Sequence, residues 1–72
     1  MTHPLRRMAL HILEIVDHWT RYHPPGIFCE DIVRELLIEE GLNREEMDEC
    51  IELLKANGYF YAPNLGTIAL VK

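Results

Sequence analysis

Apolar residues recur every three or four positions between residues 5 and 22, at Leu5, Met8, Ala9, Ile12, Ile15, Val16, Trp19 and Tyr22. Arg6, Arg7, His11, Glu14, Asp17, His18 and Arg21 take the positions on the other side. That period predicts one amphipathic helix over about 4–22, with Pro4 in a first turn where a missing N–H costs nothing. The helix ends at His23-Pro24-Pro25-Gly26, because a residue before proline is pushed out of the helical region and glycine then lets the chain turn. Ile27 and Phe28 follow as a short extended piece over 27–28, which needs a partner strand from elsewhere in the chain.

A second helix is predicted over about 29–40. Glu30 and Asp31 fall in its first turn, where negative charge complements the helix dipole, and Ile32, Val33, Leu36 and Leu37 are expected to face inward. Gly41 closes it. Asn43 precedes Glu46 by three residues, the spacing of a capping box, and Leu42 can pack against Met47. A third helix over about 44–57 therefore starts almost at once, and the Gly-Leu-Asn connection sets a sharp angle, giving a helix-turn-helix unit. Met47, Cys50, Ile51 and Leu54 form its buried stripe, and Asn57-Gly58 ends it.

Aromatic and β-branched residues at 59–62 and 67–71 flank the turn Pro63-Asn64-Leu65-Gly66, which predicts an antiparallel hairpin over 59–71. The order is helix, short strand, helix, helix, strand, strand. The expected fold class is therefore α+β, a winged helix-turn-helix with three helices, a short first strand and a C-terminal β-hairpin wing whose tip spans 62–67. One such domain accounts for residues 1–72, a length near the lower limit for a single unstapled core.

Composition narrows the function. A hydrophobic share of 49% with 26% charged residues argues for a packed domain and against disorder. Twelve acidic against seven basic side chains give a net charge of −5, the wrong sign for a surface that follows phosphates over its whole extent. The third helix is expected to expose Glu45, Asp48, Glu49 and Glu52, with Glu46 near the cap, against Arg44 and Lys55, which opposes entry into a major groove. Any DNA contact is thus local, with Arg44, Lys55, Asn64, Thr67 and Lys72 as candidates. Leu10, Glu45, Asp48, Glu49, Glu52 and Leu65 are the candidate surface for a protein partner. Arg6, Arg7 and Arg21 lie among Glu14 and Asp17 and read as a mixed, solvated face.

Catalysis finds no foothold: the chain has no serine, no glycine-rich phosphate loop after a strand, and no histidine placed beside a cysteine. The expectation is a non-catalytic domain without cofactor. Cys29 and Cys50, with no CxxC spacing, are expected as buried reduced thiols. His11, Glu14 and His18 share a stripe, but the two imidazoles are two turns apart, about 10 Å, beyond one ion's reach unless Glu14 bridges. His11 and His18 read as ordinary surface histidines. Trp19, Phe28 and Phe60 are expected in the core, with one of Tyr59 and Tyr61 at its edge. No apolar run approaches the roughly 20 residues a bilayer span needs, and the Met-Thr-His-Pro start lacks a signal-peptide pattern, so an intracellular, membrane-free location is expected.

The run LNREEMDECIELLKANGYFYAPNLGTIAL resembles the C-terminal winged-helix domain of archaeal minichromosome maintenance (MCM) replicative helicases. The likeness is carried by Leu54-Lys55, Gly58, Tyr61, Pro63 and Gly66, followed by Ile68 and Leu70, and reaches the first helix only by pattern. Such domains often carry a basic residue on or just after the wing, where this chain has Asn64, Leu65, Thr67 and Ala69, with Lys72 nearby. A Walker A motif is missing too, so ATP binding would belong to the parent helicase. The resemblance implies a monomeric, nucleoid-associated regulatory module that contacts the ATPase ring or a replication factor and touches DNA weakly at most. Two other classes stay open: a small sequence-specific DNA-binding transcription regulator, which would dimerise on two half-sites, and a scaffold domain that binds a partner through Leu10, Leu65 and the acidic face.

Overall fold

Chain order and hydrogen bonding divide the protein into α1 (Pro4–Tyr22), β1 (Ile27–Cys29), α2 (Glu30–Glu39), α3 (Arg44–Ala56), β2 (Phe60–Tyr61) and β3 (Thr67–Leu70). The computed structural model describes residues 4–71, with side chains from residue 6 onward, so Lys72 and the side chain of Leu5 lie outside the described residues. Three helices and one three-stranded antiparallel sheet make a small α+β fold, an arrangement compatible with a winged helix.

The sheet order is β1-β3-β2, so the last strand in sequence lies in the middle. Phe28 pairs with Ile68, and Phe60 pairs with Leu70. Because side chains alternate across a strand, Phe28, Ile68, Leu70 and Phe60 share the inner face, and Ile27, Ala69 and Tyr61 share the outer one. β1 has the length to pair because β3 supplies the partner that Ile27 and Phe28 lacked on their own.

The core is drawn from every layer. Ile12 and Val16 of α1, Val33 and Leu37 of α2, Met47, Cys50, Ile51 and Leu54 of α3, Phe60 and Ile68 are all buried, and Trp19, Phe28, Leu42 and Leu70 pack against them. Thr20 is buried as well, and its hydroxyl donates to the Val16 carbonyl at 2.8 Å, so the helix itself satisfies the polar group.

Both helices of the α2–α3 pair stop in the same way. After α2, the Gly41 N–H donates to the Ile38 carbonyl at 2.9 Å and the Leu42 N–H to the Leu37 carbonyl at 3.3 Å. After α3, Gly58 donates to Lys55 at 3.2 Å and Tyr59 to Leu54 at 2.9 Å. These are Schellman caps, and they require the left-handed backbone that Gly41 (φ 97°) and Gly58 (φ 81°) adopt. α3 opens with Asn43, whose side-chain oxygen accepts from the Glu46 N–H at 3.1 Å. Two cap signals within six residues explain why the connection is short and α3 is turned sharply from α2.

Four expectations need correction. Ile32 and Leu36 do not face inward: they are 54% and 40% exposed, because α3 closes on one flank of α2 and nothing covers the other. Tyr22 projects beyond the core at the end of α1, 69% exposed, with its ring 4.7 Å from that of His18. Cys29 is exposed, since it stands on the outer strand as the residue that starts α2, while Cys50 is buried in α3. Both Tyr59 and Tyr61 are half-exposed, because they alternate with Phe60, which takes the inward position.

Candidate functional site

Charged residues in this chain concentrate in one segment, since ten of its twelve carboxylates lie between residues 30 and 52. Helix geometry sorts them. At about 100° per residue, Glu30 and Arg34 fall on the α3-facing flank of the buried Val33–Leu37 stripe. Asp48, Glu52 and Lys55 recur at three and four on α3 and face them.

A continuous ionic seam results. The Arg34 guanidinium contacts Asp48 through Nη1 and reaches Glu30 at 3.5 Å and Glu52 at 3.6 Å through Nη2. The Lys55 ammonium contacts Glu30 and lies 3.7 Å from Glu52. Arg34 keeps only 18% of its side chain exposed, so this is no freely solvated surface pair. Glu30 is where the opposing influences meet. Burial alone would push its carboxyl up, but Lys55, by hydrogen bond and charge, and Arg34 together outweigh burial and hold it below the ordinary glutamate value.

The seam changes the status of the candidates on α3. Lys55, expected as a contact for DNA, has its ammonium between Glu30 and Glu52. Asp48 and Glu52, expected on a docking face, are committed to Arg34, a residue the sequence reading did not single out. Its signal was legible in principle: Glu30 and Arg34 stand four apart on α2, a spacing that pairs charges along a helix. Arg44, Glu45 and Glu49 remain exposed, and none makes an ion pair among the described residues. The surface that α3 offers is thus a single arginine at its start with a carboxylate-rich face behind it.

At the hairpin tip, the Thr67 hydroxyl donates to the Asn64 carbonyl at 2.8 Å and accepts from the Asn64 N–H at 3.0 Å. That pair closes the turn and leaves Leu65 fully in water, 104% exposed. Lys72, the last of the candidate contacts, lies outside the described residues. Leu65 and Leu10 do not meet in one groove. Leu10 belongs instead to an apolar groove of 390 Å³ between α1 and α3, with Leu13, Leu53 and Tyr59. Leu53 was missed because the α3 stripe of Met47, Cys50, Ile51 and Leu54 left it on the polar side, where it is 48% exposed.

A second groove, of 430 Å³, runs between the end of α1, β1 and α2 and is lined by Trp19, Ile27, Phe28, Ile32 and Leu36. Trp19 and Phe28 meet edge to face there, with centroids 6.1 Å apart. His11, Glu14 and His18 face Glu40 across a shallow depression, and no group of three or more metal-ligating side chains converges among the described residues. No helix among them is long and apolar enough to cross a membrane. Comparison of the chain with protein-family models, with curated proteins and with solved structures finds no match.

Proposed function

We propose that this chain is a non-catalytic winged-helix module that works by docking other proteins and does not read DNA bases. The observation that carries this reading is the use of charge on α3. Its cation near the C-terminal end, Lys55, is held by two carboxylates, and the exposed part of the helix presents Glu45 and Glu49 beside Arg44. A phosphate approaching that face meets like charge, and phosphate neutralisation supplies most of the affinity that such folds have for DNA. The Leu10–Leu53–Tyr59 groove at the other end of α3 supports a protein partner, since half-exposed apolar side chains in a shared groove are what interfaces bury.

The setting follows from the resemblance of α3 and the hairpin to the terminal domain of archaeal MCM helicases: a regulatory role toward an ATPase ring, by protein contact. An isotope-labelled sample titrated with forked DNA at low salt, and separately with such a ring, tests it. The ring should shift amides of α3 and of Leu10, while the DNA leaves the spectrum unchanged. Shifts at Arg44 and at residues 64–67 that depend on the DNA sequence and persist as salt rises would overturn the reading. Removal of the module without effect on ATPase or unwinding would dispose of the helicase setting.

A further inference from the structure

β1 is an outer strand. Its Phe28 pairs with Ile68, and the N–H of Glu30, two residues on, donates to the Gly66 carbonyl at 2.9 Å. In an antiparallel ladder the backbone groups of alternate residues point to opposite edges. Phe28 therefore bonds inward to β3 and Glu30 to Gly66 just ahead of it, and the N–H and C=O of Ile27 and the N–H of Cys29 point to the open edge. The Cys29 carbonyl is the one taken by the first turn of α2.

That open edge borders the 430 Å³ groove, whose lining includes all three β1 residues. On its far wall stand Ile32 and Leu36, one helical turn apart, and at about 100° per residue the next positions around α2 are Glu39 and Glu35, both exposed. No Lys or Arg lines the groove. The site thus combines a strand edge with unpaired backbone groups, an apolar floor and an acidic border.

We propose that this groove receives a short extended segment of a partner protein, paired to the outer edge of β1. Its alternate apolar side chains would lie toward Ile32 and Leu36, and its flanking Lys or Arg residues beside Glu35 and Glu39. Strand addition draws affinity from main-chain hydrogen bonds and specificity from pockets for every second side chain, and the groove offers both. The charge decides among occupants. Nucleic acid is repelled by the border, and a second copy would bring two acidic borders together. The surface contains no α3 residue, so it stands apart from the docking face proposed above.

Cys29 supplies the readout. It is exposed in the groove, whereas Cys50 is fully buried and its thiol is pushed up by burial, with Glu49 and Glu46 adding to the effect, so alkylation of the folded chain reports Cys29 alone. The probes are two synthetic peptides of alternating Val and Ser, one flanked by Lys and one by Glu. The Lys-flanked peptide should slow iodoacetamide reaction at Cys29 several-fold and shift the Ile27 and Cys29 amides, and the Glu-flanked one should do neither.

In the charge-reversed variant Glu35→Lys/Glu39→Lys the preference should switch to the Glu-flanked peptide, and Ile32→Glu should abolish protection. All three positions are exposed, so the fold tolerates the changes, and Glu49→Lys on α3 should leave protection intact. No protection at millimolar Lys-flanked peptide, equal protection by both peptides, or protection that grows with protein concentration alone would overturn the proposal. The α3 docking reading is judged by the ring and DNA titrations and survives a failure here.

Discussion

On the flank of α2 that meets α3, Arg34 and Glu30 find opposite charge at every contact. On the flank that meets β1, Ile32 and Leu36 stay about half exposed on the wall of an open apolar groove, with Glu35 and Glu39 next to them around the helix. One ten-residue helix thus carries a closed polar face and an open apolar one, the reverse of what hydropathy alone assigns. The difference shows that neighbour geometry decides burial on a small domain. α3 arrives on the side of Arg34 because the Gly41 and Asn43 caps fix its direction, and the three-residue β1 is too short to cover the other side.

Leu37 lies in the buried stripe between the two flanks. Leu37→Ala removes a fully buried side chain and should cost about 2–5 kcal/mol, whereas Leu36→Ala, at the neighbouring half-exposed position, should cost at most about 1 kcal/mol. Urea unfolding of the two variants checks the contrast. Equal losses would mean that the Ile32–Leu36 flank is buried after all.

Arg34 is the centre of the ionic seam. Arg34→Ala leaves Glu30, Asp48 and Glu52 facing one another, with Lys55 as the remaining cation. Breaking a fully buried pair costs about 3–5 kcal/mol and a solvated one about 0–1 kcal/mol, so this partly buried hub should cost about 2 kcal/mol. Arg34→Lys should recover only part of it, because an ammonium cannot reproduce the guanidinium fork. Denaturation of both variants across a salt series is the measurement, and a loss that does not shrink with salt would deny the ionic account.

Acid should loosen the same flank. Glu30 has a folded pKa below its unfolded value, so its contribution is complete above the ordinary glutamate range and is lost as pH falls through the folded value. Stability should therefore drop on acidification, and Glu30→Gln should both lower stability at neutral pH and flatten that part of the curve. Melting temperatures of the two proteins between neutral and strongly acid pH would show it. Parallel curves would remove Glu30 from the account.

Much of this was readable before the fold was known, and for a definable reason. Caps and stripes are local: Asn43, Gly41 and Gly58 announce helix ends by backbone chemistry, and Met47, Cys50, Ile51 and Leu54 announce a face by spacing. What escaped depends on elements far apart in the chain. Arg34 gains its role only when α3 brings Asp48 within reach, and Thr20 becomes buried only where the end of α1 meets the sheet side of the domain. Apolar character at Ile32 and Leu36 says that a side chain prefers burial and not whether anything is there to bury it.

The smallest expected change in stability is also the one that separates the two flanks most cleanly. Ile32 is 54% exposed on the groove wall, so Ile32→Glu should leave stability within about 0.5 kcal/mol of the parent. The substitution adds one more negative charge to an acidic border without removing a core contact, so its effect should rest on mild repulsion that salt screens. Set beside Arg34→Ala, it asks whether apolar character at an exposed position of α2 does anything for the fold. If stability holds while the Lys-flanked peptide no longer protects Cys29, then Ile32 serves the groove and not the core. A large loss of stability would place Ile32 with Leu37, and the two flanks of α2 would then be alike in holding the domain together.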